Sequence, residues 1–329
     1  MRSVGVILPT PTVATDCNGS EPMTDTDPAV TRLEVEHLTT YRYAAPVDVA
    51  HHLGYLRPID DDRQRVTLFE MDVEPAPTHR RSDTDVLGNQ RTCFTVILPH
   101  RELQVRATSQ VRVQRGVPFD AAASQPWEQV RDRLRYVAAA PYEPAGEFVF
   151  ASPYVPDLPA LHEWALPSFT AGRPVALAAI DLMSRIHAGF AYRSASTAVD
   201  TPLADVFAAR AGVCQDFAHL MLGALRSFGL AARYVSGYLL TQSPDDGAQA
   251  APMLGADASH AWVGVWCPMA DGSPAHWLEL DPTNDVRPST GHVRLAIGRD
   301  YGDVTPLRGV IRGGGAHQLS VQVRTRRIG

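Results

Sequence analysis

Residues 212–239 read GVCQDFAHLMLGALRSFGLAARYVSGYL, one helical pattern running directly into one strand pattern. Phe217, Met221, Leu225 and Phe228 recur at helical spacing, and Gly229 follows where a C-cap belongs, so the spacing predicts a helix over residues 213–228. Cys214 lies three residues before Phe217, on the same apolar face. Its thiol therefore sits at the helix N-terminus and points into the protein. Unpaired N–H groups and the positive end of the helix dipole favour a thiolate there. Gly212, just ahead, permits close approach of chain or substrate. Asp216 is a first-turn acid placed to accept hydrogen bonds from the helix start, and His219 reads as a packing residue. Residues 232–240 continue as a strand.

Downstream, SHAWVGVW (residues 259–266) and LDPTND (residues 280–285) extend the pattern. Ala261, Val263 and Val265 alternate as a core-facing row, while His260, Trp262 and Trp266 share the opposite row. Trp277 to Asp281 reads as a returning strand. A connecting loop over residues 268–275 sets residue 267 opposite 276 and therefore 262 opposite 281. Asp281 then lies diagonal to His260 on one sheet face, about 7–8 Å away at the backbone. A slip of one residue would put the two on opposite faces. Trp262 and Trp266 either floor a substrate cleft or cover the hairpin.

Each of these residues has a plainer reading on its own: Cys214 an inert core thiol, His260 a strand histidine, Asp281 a turn former ahead of Pro282. Together they supply a thiol, a base and a carboxylate to fix the tautomer of the base, which is the arrangement of covalent acyl-transfer catalysis. His260 would take the Cys214 proton, the thiolate would attack a carbonyl carbon, and the backbone N–H of Cys214 would donate to the oxyanion. A second oxyanion donor is not assigned by the sequence.

The first third of the chain is strand-like. Leu33, Val35 and His37 alternate with polar neighbours and continue to Tyr41 and Tyr43. Val66, Leu68, Met71 and Val73 form another run with a phase slip at Phe69, and Gly88-Asn89 carries turn chemistry before Phe94, Val96 and Leu98. Val105, Val111 and Val113 close the pattern. After Phe119 the composition shifts. Residues 127–140 and 175–188 read as helices that open behind Pro126 and Pro174; residues 141–167 are Pro-rich and irregular, and residues 241–259 form a long polar loop, a candidate lid. The tail around Gly302, Gly309 and Gly313-Gly314-Gly315 reads as loop, ending in a strand over residues 319–325. The expected fold class is α+β, with a tail over residues 1–30, a β-rich N-terminal domain over 31–120, a catalytic core over 121–312, and a C-terminal tail or edge strand over 313–329.

All 30 basic residues of the 329 are Arg, which excludes a Walker-type phosphate loop and leaves the chain without a lysine amine of its own to act as acyl acceptor. The net charge of −6 argues against a general nucleic-acid partner. Cys17, Cys93, Cys214 and Cys267 show no metal-type spacing and are too sparse for a disulfide framework, so reduced thiols in a cytoplasmic setting are expected. No apolar run is long enough to span a membrane, and none of the calcium-loop type appears. No metal or cofactor is expected. His51-His52 reads as strand or turn surface, and Cys93 and Cys267 as packing residues.

The segments GVCQDFAHLMLGALRSFGLAARYVSGYL, SHAWVGVW, LDPTND and GRDYGDV (residues 298–304) resemble the bacterial branch of the transglutaminase-like superfamily. Residues 33–43, Leu56-Arg57-Pro58 and Gly88-Asn89 are similar to the β-rich N-terminal region found with that branch. The resemblance implies a papain-like core whose helix carries the thiol and packs on an antiparallel sheet, with Cys214 as nucleophile, His260 as base and Asp281 as its orienter. It implies a thiol-dependent hydrolase of peptide or amide bonds acting through a thioester, with a peptide or protein as substrate. Amine transfer or glutamine deamidation by the same residues, and a binding module that keeps the fold without turnover, remain the alternatives.

Overall fold

The computed structural model describes residues 30–138, 141–194, 197–241, 253–256 and 259–328. The expected tail before Val30, with Cys17, and most of the candidate lid over 241–259 lie outside the described residues. In chain order, five strands come first: β1 (Val30–Gly54), β2 (Gln64–Glu74), β3 (His79–Thr84), β4 (Gln90–Val96) and β5 (His100–Gln114). Helices α1 (Trp127–Leu134), α2 (Pro159–Ala165) and α3 (Val175–Gly189) follow, then β6 (Ala191–Tyr192), α4 (Leu203–Ala209), β7 (Ala211–Gly212) and α5 (Cys214–Ser227). The chain finishes with β8 (Ala232–Leu239), β9 (His260–Cys267), β10 (His276–Leu280), β11 (His292–Gly298), α6 (Tyr301–Val304), β12 (Leu307–Gly313) and β13 (His317–Arg327).

One antiparallel sheet of seven strands runs β2-β5-β1-β4-β3, with β12 and β13 also on β1. The first half of β1 lies between β5 and β13, and its second half between β4 and β12. This sheet is therefore built from both ends of the chain. The β2 register shift falls between Val66 and Leu68, two residues earlier than the slip read at Phe69. The stretch read as loop around Gly302 and Gly309 instead forms α6 and β12, and the Pro-rich segment over 141–167 contains α2. Proline starts α2, as it may start any helix, because the first turn needs no N–H from it.

The second sheet has four antiparallel strands in the order β10-β9-β8-β11. Helix α5 packs on β9 and β8 and is buried on almost every side: Phe217, Leu220, Met221, Leu222 and Leu225 are at most 1% exposed. Each such side chain contributes roughly 1.5–3 kcal/mol relative to an exposed one. A helix enclosed this completely holds its first residue in a fixed place. The two sheets are stitched at the edge strand β11. Gln64 accepts from Arg294 N–H at 2.8 Å and donates to Arg294 C=O at 2.7 Å; Asn89 accepts from Ile297 N–H at 2.7 Å and donates to Ile297 C=O at 2.8 Å. Two side-chain amides thus satisfy backbone groups that an open sheet edge would leave exposed. Beside them Leu33, Val35, Val111 and Val113 pack against Tyr238, Val293 and Leu295 of the four-stranded sheet.

Candidate active site

The start of α5 is fixed by its own acid. Val213 is extended, and its N–H donates to Asp216 Oδ2 at 2.8 Å, while Thr197 Oγ1 donates to the same oxygen at 2.6 Å. A Cβ on Gly212 would lie 2.6 Å from that oxygen, so the close approach foreseen at Gly212 is made by the Asp216 carboxyl. Burial pushes the Asp216 pKa up, opposed by these two hydrogen bonds. The short parallel pair β6–β7 sets Tyr192 beside Gly212. Cys214 is then the first helical residue, 9% exposed, with its S–H directed at Ser259 C=O 3.8 Å away.

The hairpin register is the one read from the sequence: His276 pairs with Cys267, Trp277 with Trp266, and Leu280 with Val263. It delivers Asp281 to His260, with His260 Nε2 donating to Asp281 Oδ2 at 2.8 Å and both side chains closed to solvent. The proton on Nε2 leaves Nδ1 as the basic nitrogen of the neutral ring. Among the described residues Nδ1 has no hydrogen-bond partner. Burial alone would depress the His260 pKa; the charge and hydrogen bond of Asp281, joined by the neighbouring Cys214, outweigh it and push the value up to about 10. The Asp281 carboxyl moves the other way. Burial would raise it, and His260, with His292, holds it far below the usual carboxylate range.

Three residues around this pair were not singled out by the sequence reading. Asn284 N–H and Thr283 N–H donate to Asp281 Oδ1 at 3.3 and 2.9 Å, and Asn284 Nδ2 donates to Oδ2 at 2.8 Å. Asn284 also exchanges hydrogen bonds with the backbone of Leu254, which ties the described part of the 241–259 loop to the acid. His292, from β11, brings Nε2 to 3.5 Å from Asp281 Oδ2. Asn284 stood inside the quoted LDPTND segment, whereas nothing in the local pattern marks His292, because β11 reaches Asp281 only through the order of the sheet.

Trp262 is fully buried and meets the His292 ring edge-on at 5.4 Å, with His260 at 6.1 Å. Of the two roles foreseen for it, its enclosure fits cover of the hairpin, not the floor of an open cleft. Its ring lies directly over Gly237: a Cβ there would stand 2.2 Å from the indole and 2.3 Å from Val293 C=O. Neither the backbone nor so large a ring can yield cheaply. Gly237→Ala is expected to lose about 3 kcal/mol of stability, near the top of the range for an overpacked core, measured as a lower denaturant midpoint. A midpoint within error of the unsubstituted protein would mean that the indole is free to move.

His219 packs as expected, 3% exposed, accepting from Tyr301 N–H at 3.2 Å, and burial lowers its pKa to about 3. Cys267 is enclosed, and burial raises its pKa to about 12; Cys93 is exposed on β4. His51 is exposed, but His52 is buried and stacks on Phe94 at 5.0 Å, so only the first of that pair is surface. Among the described residues no group of three or more His, Cys, Asp or Glu is arranged to hold a metal ion.

Comparison with known proteins places this arrangement in context. Residues 33–112 match the bacterial transglutaminase-like N-terminal region, and residues 169–282 match the transglutaminase-like superfamily core. The uncharacterized protein Rv2569c of Mycobacterium tuberculosis is 42% identical over 285 residues, spanning 85% of this chain and 87% of that one. A protein-glutamine gamma-glutamyltransferase of Pseudomonas aeruginosa is 32% identical over 123 residues, covering 35% of this chain and 17% of that one. The crystal structure of a candidate cysteine protease from Cytophaga hutchinsonii superposes with a TM-score of 0.67 over 91% of both chains at 20% identity, a likeness of fold. With both regions matched in order and the papain-like α+β architecture shared, the chain belongs to the transglutaminase-like superfamily.

Proposed function

We propose that the protein is a thiol-dependent hydrolase of peptide or amide bonds, with Cys214 as nucleophile, His260 as general base and acid, and Asp281 as the group that orients His260. The observation that carries this reading is the sealed 2.8 Å contact between His260 Nε2 and Asp281, which leaves Nδ1 as the ring's unpaired nitrogen, with Cys214 as a neighbour. In the first step Nδ1 takes the Cys214 proton, and the thiolate attacks the carbonyl carbon. The carbonyl oxygen gains negative charge opposite the Cys214 N–H at the helix start. His260 returns its proton to the leaving amine as the carbon–nitrogen bond breaks, and a thioester remains on Cys214. Water, deprotonated by Nδ1, attacks that thioester, and the proton passes back to sulfur as the acid leaves.

The raised pKa of His260 supports a resting imidazolium, since the carboxylate favours the charged ring. Transfer of the same acyl group to an amine uses every one of these residues. The similarity to the Pseudomonas aeruginosa glutamyltransferase keeps that second reading open. Mass analysis of a peptide library incubated with the protein, with and without a primary amine in excess, separates them. New free carboxyl ends are expected in both samples. Amine adducts dominating over hydrolysis would replace the first reading with the second, and an unchanged library in both would count against an enzyme.

A further inference from the structure

At the far end of the β9–β10 hairpin, about 20 Å from His260 by strand length, a second cleft of about 390 Å³ opens between the two sheets. That volume lies within the range of small-ligand sites. Its walls are Trp266, Trp277, Phe148 and Ile297, closed on the other side by Leu87 from the β3–β4 turn. Two charged side chains line it, Glu143 and Arg233, and Arg233 is the cation. Its guanidinium lies over the Trp277 ring at 4.3 Å from the centroid, and Gly264, opposite it on β9, leaves the space it fills: a Cβ there would stand 3.0 Å from Arg233 Nε.

Arg233 is poorly satisfied. Among the described residues its enclosed Nε has no hydrogen-bond partner and no carboxylate comes within ion-pair distance of it. The nearest acid on its row, Glu279, is engaged by Arg63 at 3.6 Å and by Arg294 at 3.5 Å. Glu143 at the rim meets Arg133 at 3.4 Å. Burial draws the Arg233 pKa down to about 10, against the attraction of Glu279, so the charge is held there at a cost. Enclosed polar groups normally find partners, and a guanidinium offers five donors in a planar fork that fits a carboxylate.

We propose that this cleft is a binding site for a small carboxylate ligand with a flat apolar body, the body seated against Trp266 and Trp277 and the carboxylate received by Arg233. Calorimetric titration of the full chain with 2-naphthylacetate, 2-naphthylacetamide and acetate tests it. The naphthyl acid is expected to bind with a Kd of about 1 mM or tighter. The neutral amide, which has the same shape, is expected to bind at least about tenfold more weakly, as is plain acetate. Arg233→Met should weaken the acid by at least about tenfold, and so should Trp277→Leu, which keeps the arginine. Cys214→Ala should leave binding unchanged. Absence of binding by the acid, equal binding of acid and amide, or an unchanged Kd in both Arg233→Met and Trp277→Leu would overturn the proposal. Loss of binding in Cys214→Ala would also overturn it, by placing the ligand beside His260 instead.

Discussion

Cys214→Ala is expected to bring turnover down to background while the protein stays folded. In a serine triad, loss of the nucleophile costs about 10⁶ in kcat, and here, among the described residues, no second thiol is placed to stand in. Cys267 is enclosed on β9 with its pKa pushed up to about 12 by burial, and Cys93 is exposed in the seven-stranded sheet rather than on α5. The fold should tolerate the change. Asp216 and Thr197, not the thiol, secure the helix start, and the lost sulfur contact is worth about 1 kcal/mol. The pH dependence of stability should move as well. The folded pKa of His260 is raised above its unfolded value, so its contribution is fully present below about pH 6.5 and lost as pH rises through about 10. Removing Cys214 removes one of the groups that raise it, so the alkaline loss should be smaller and complete at lower pH in the variant. Kinetics on a cleaved peptide and denaturant midpoints measured across that window check both parts. Normal turnover in Cys214→Ala would sink the mechanism.

The hairpin that carries the base and the acid was legible because a strand has period 2. Ala261, Val263 and Val265 fix one face, the loop length fixes the register, and the observed pairing of 267 with 276 follows from these two facts alone. The α5 boundaries were legible for a similar reason. An apolar stripe of period 3.6 ends at Gly229, whose φ of +71° belongs to a residue without a side chain.

What escaped the sequence reading depends on contacts between distant segments. β12 and β13 join β1 across more than 250 positions of chain, and Val310 or Val323 would alternate in the same way beside any strand. His292 approaches Asp281 because β11 lies at the far side of β8, and the order of a sheet is not written in the period of its strands. Gln64 is not singled out and Gly88-Asn89 reads as turn chemistry, yet Gln64 and Asn89 each complete the edge of β11. Arg233 is not singled out, because the two tryptophans and the β3–β4 turn that line the cleft with it come from distant segments.

Asp281→Asn is expected to lower kcat by about 10⁴, as the equivalent change does in a serine triad, with the thiol and the imidazole both still present. The reason lies in the donors around the carboxylate. Oδ1 receives two backbone N–H groups, from Thr283 and Asn284, and these cannot be turned away. An asparagine must therefore keep its carbonyl there and place its NH₂ at the Oδ2 position. That NH₂ faces His260 Nε2, which must then accept instead of donate, and the ring proton moves to Nδ1. The nitrogen that should take the Cys214 proton already carries one. Asn284 Nδ2 also loses its acceptor, and breaking a buried ion pair by removing one partner costs about 3 kcal/mol. The Asp281 pKa is depressed in the folded state, so its contribution to stability is present above the unfolded carboxylate range and lost as pH falls through the folded value. His260 in the variant keeps its burial, which lowers its pKa, and loses the carboxylate that raised it. The variant should then become less stable as pH falls below about 6.5, where the unsubstituted protein retains the full contribution of His260. A pH series of unfolding midpoints separates this signature from a simple loss of packing, which would shift every midpoint alike. A kcat near that of the unsubstituted protein would show that Asp281 does not set the tautomer of His260.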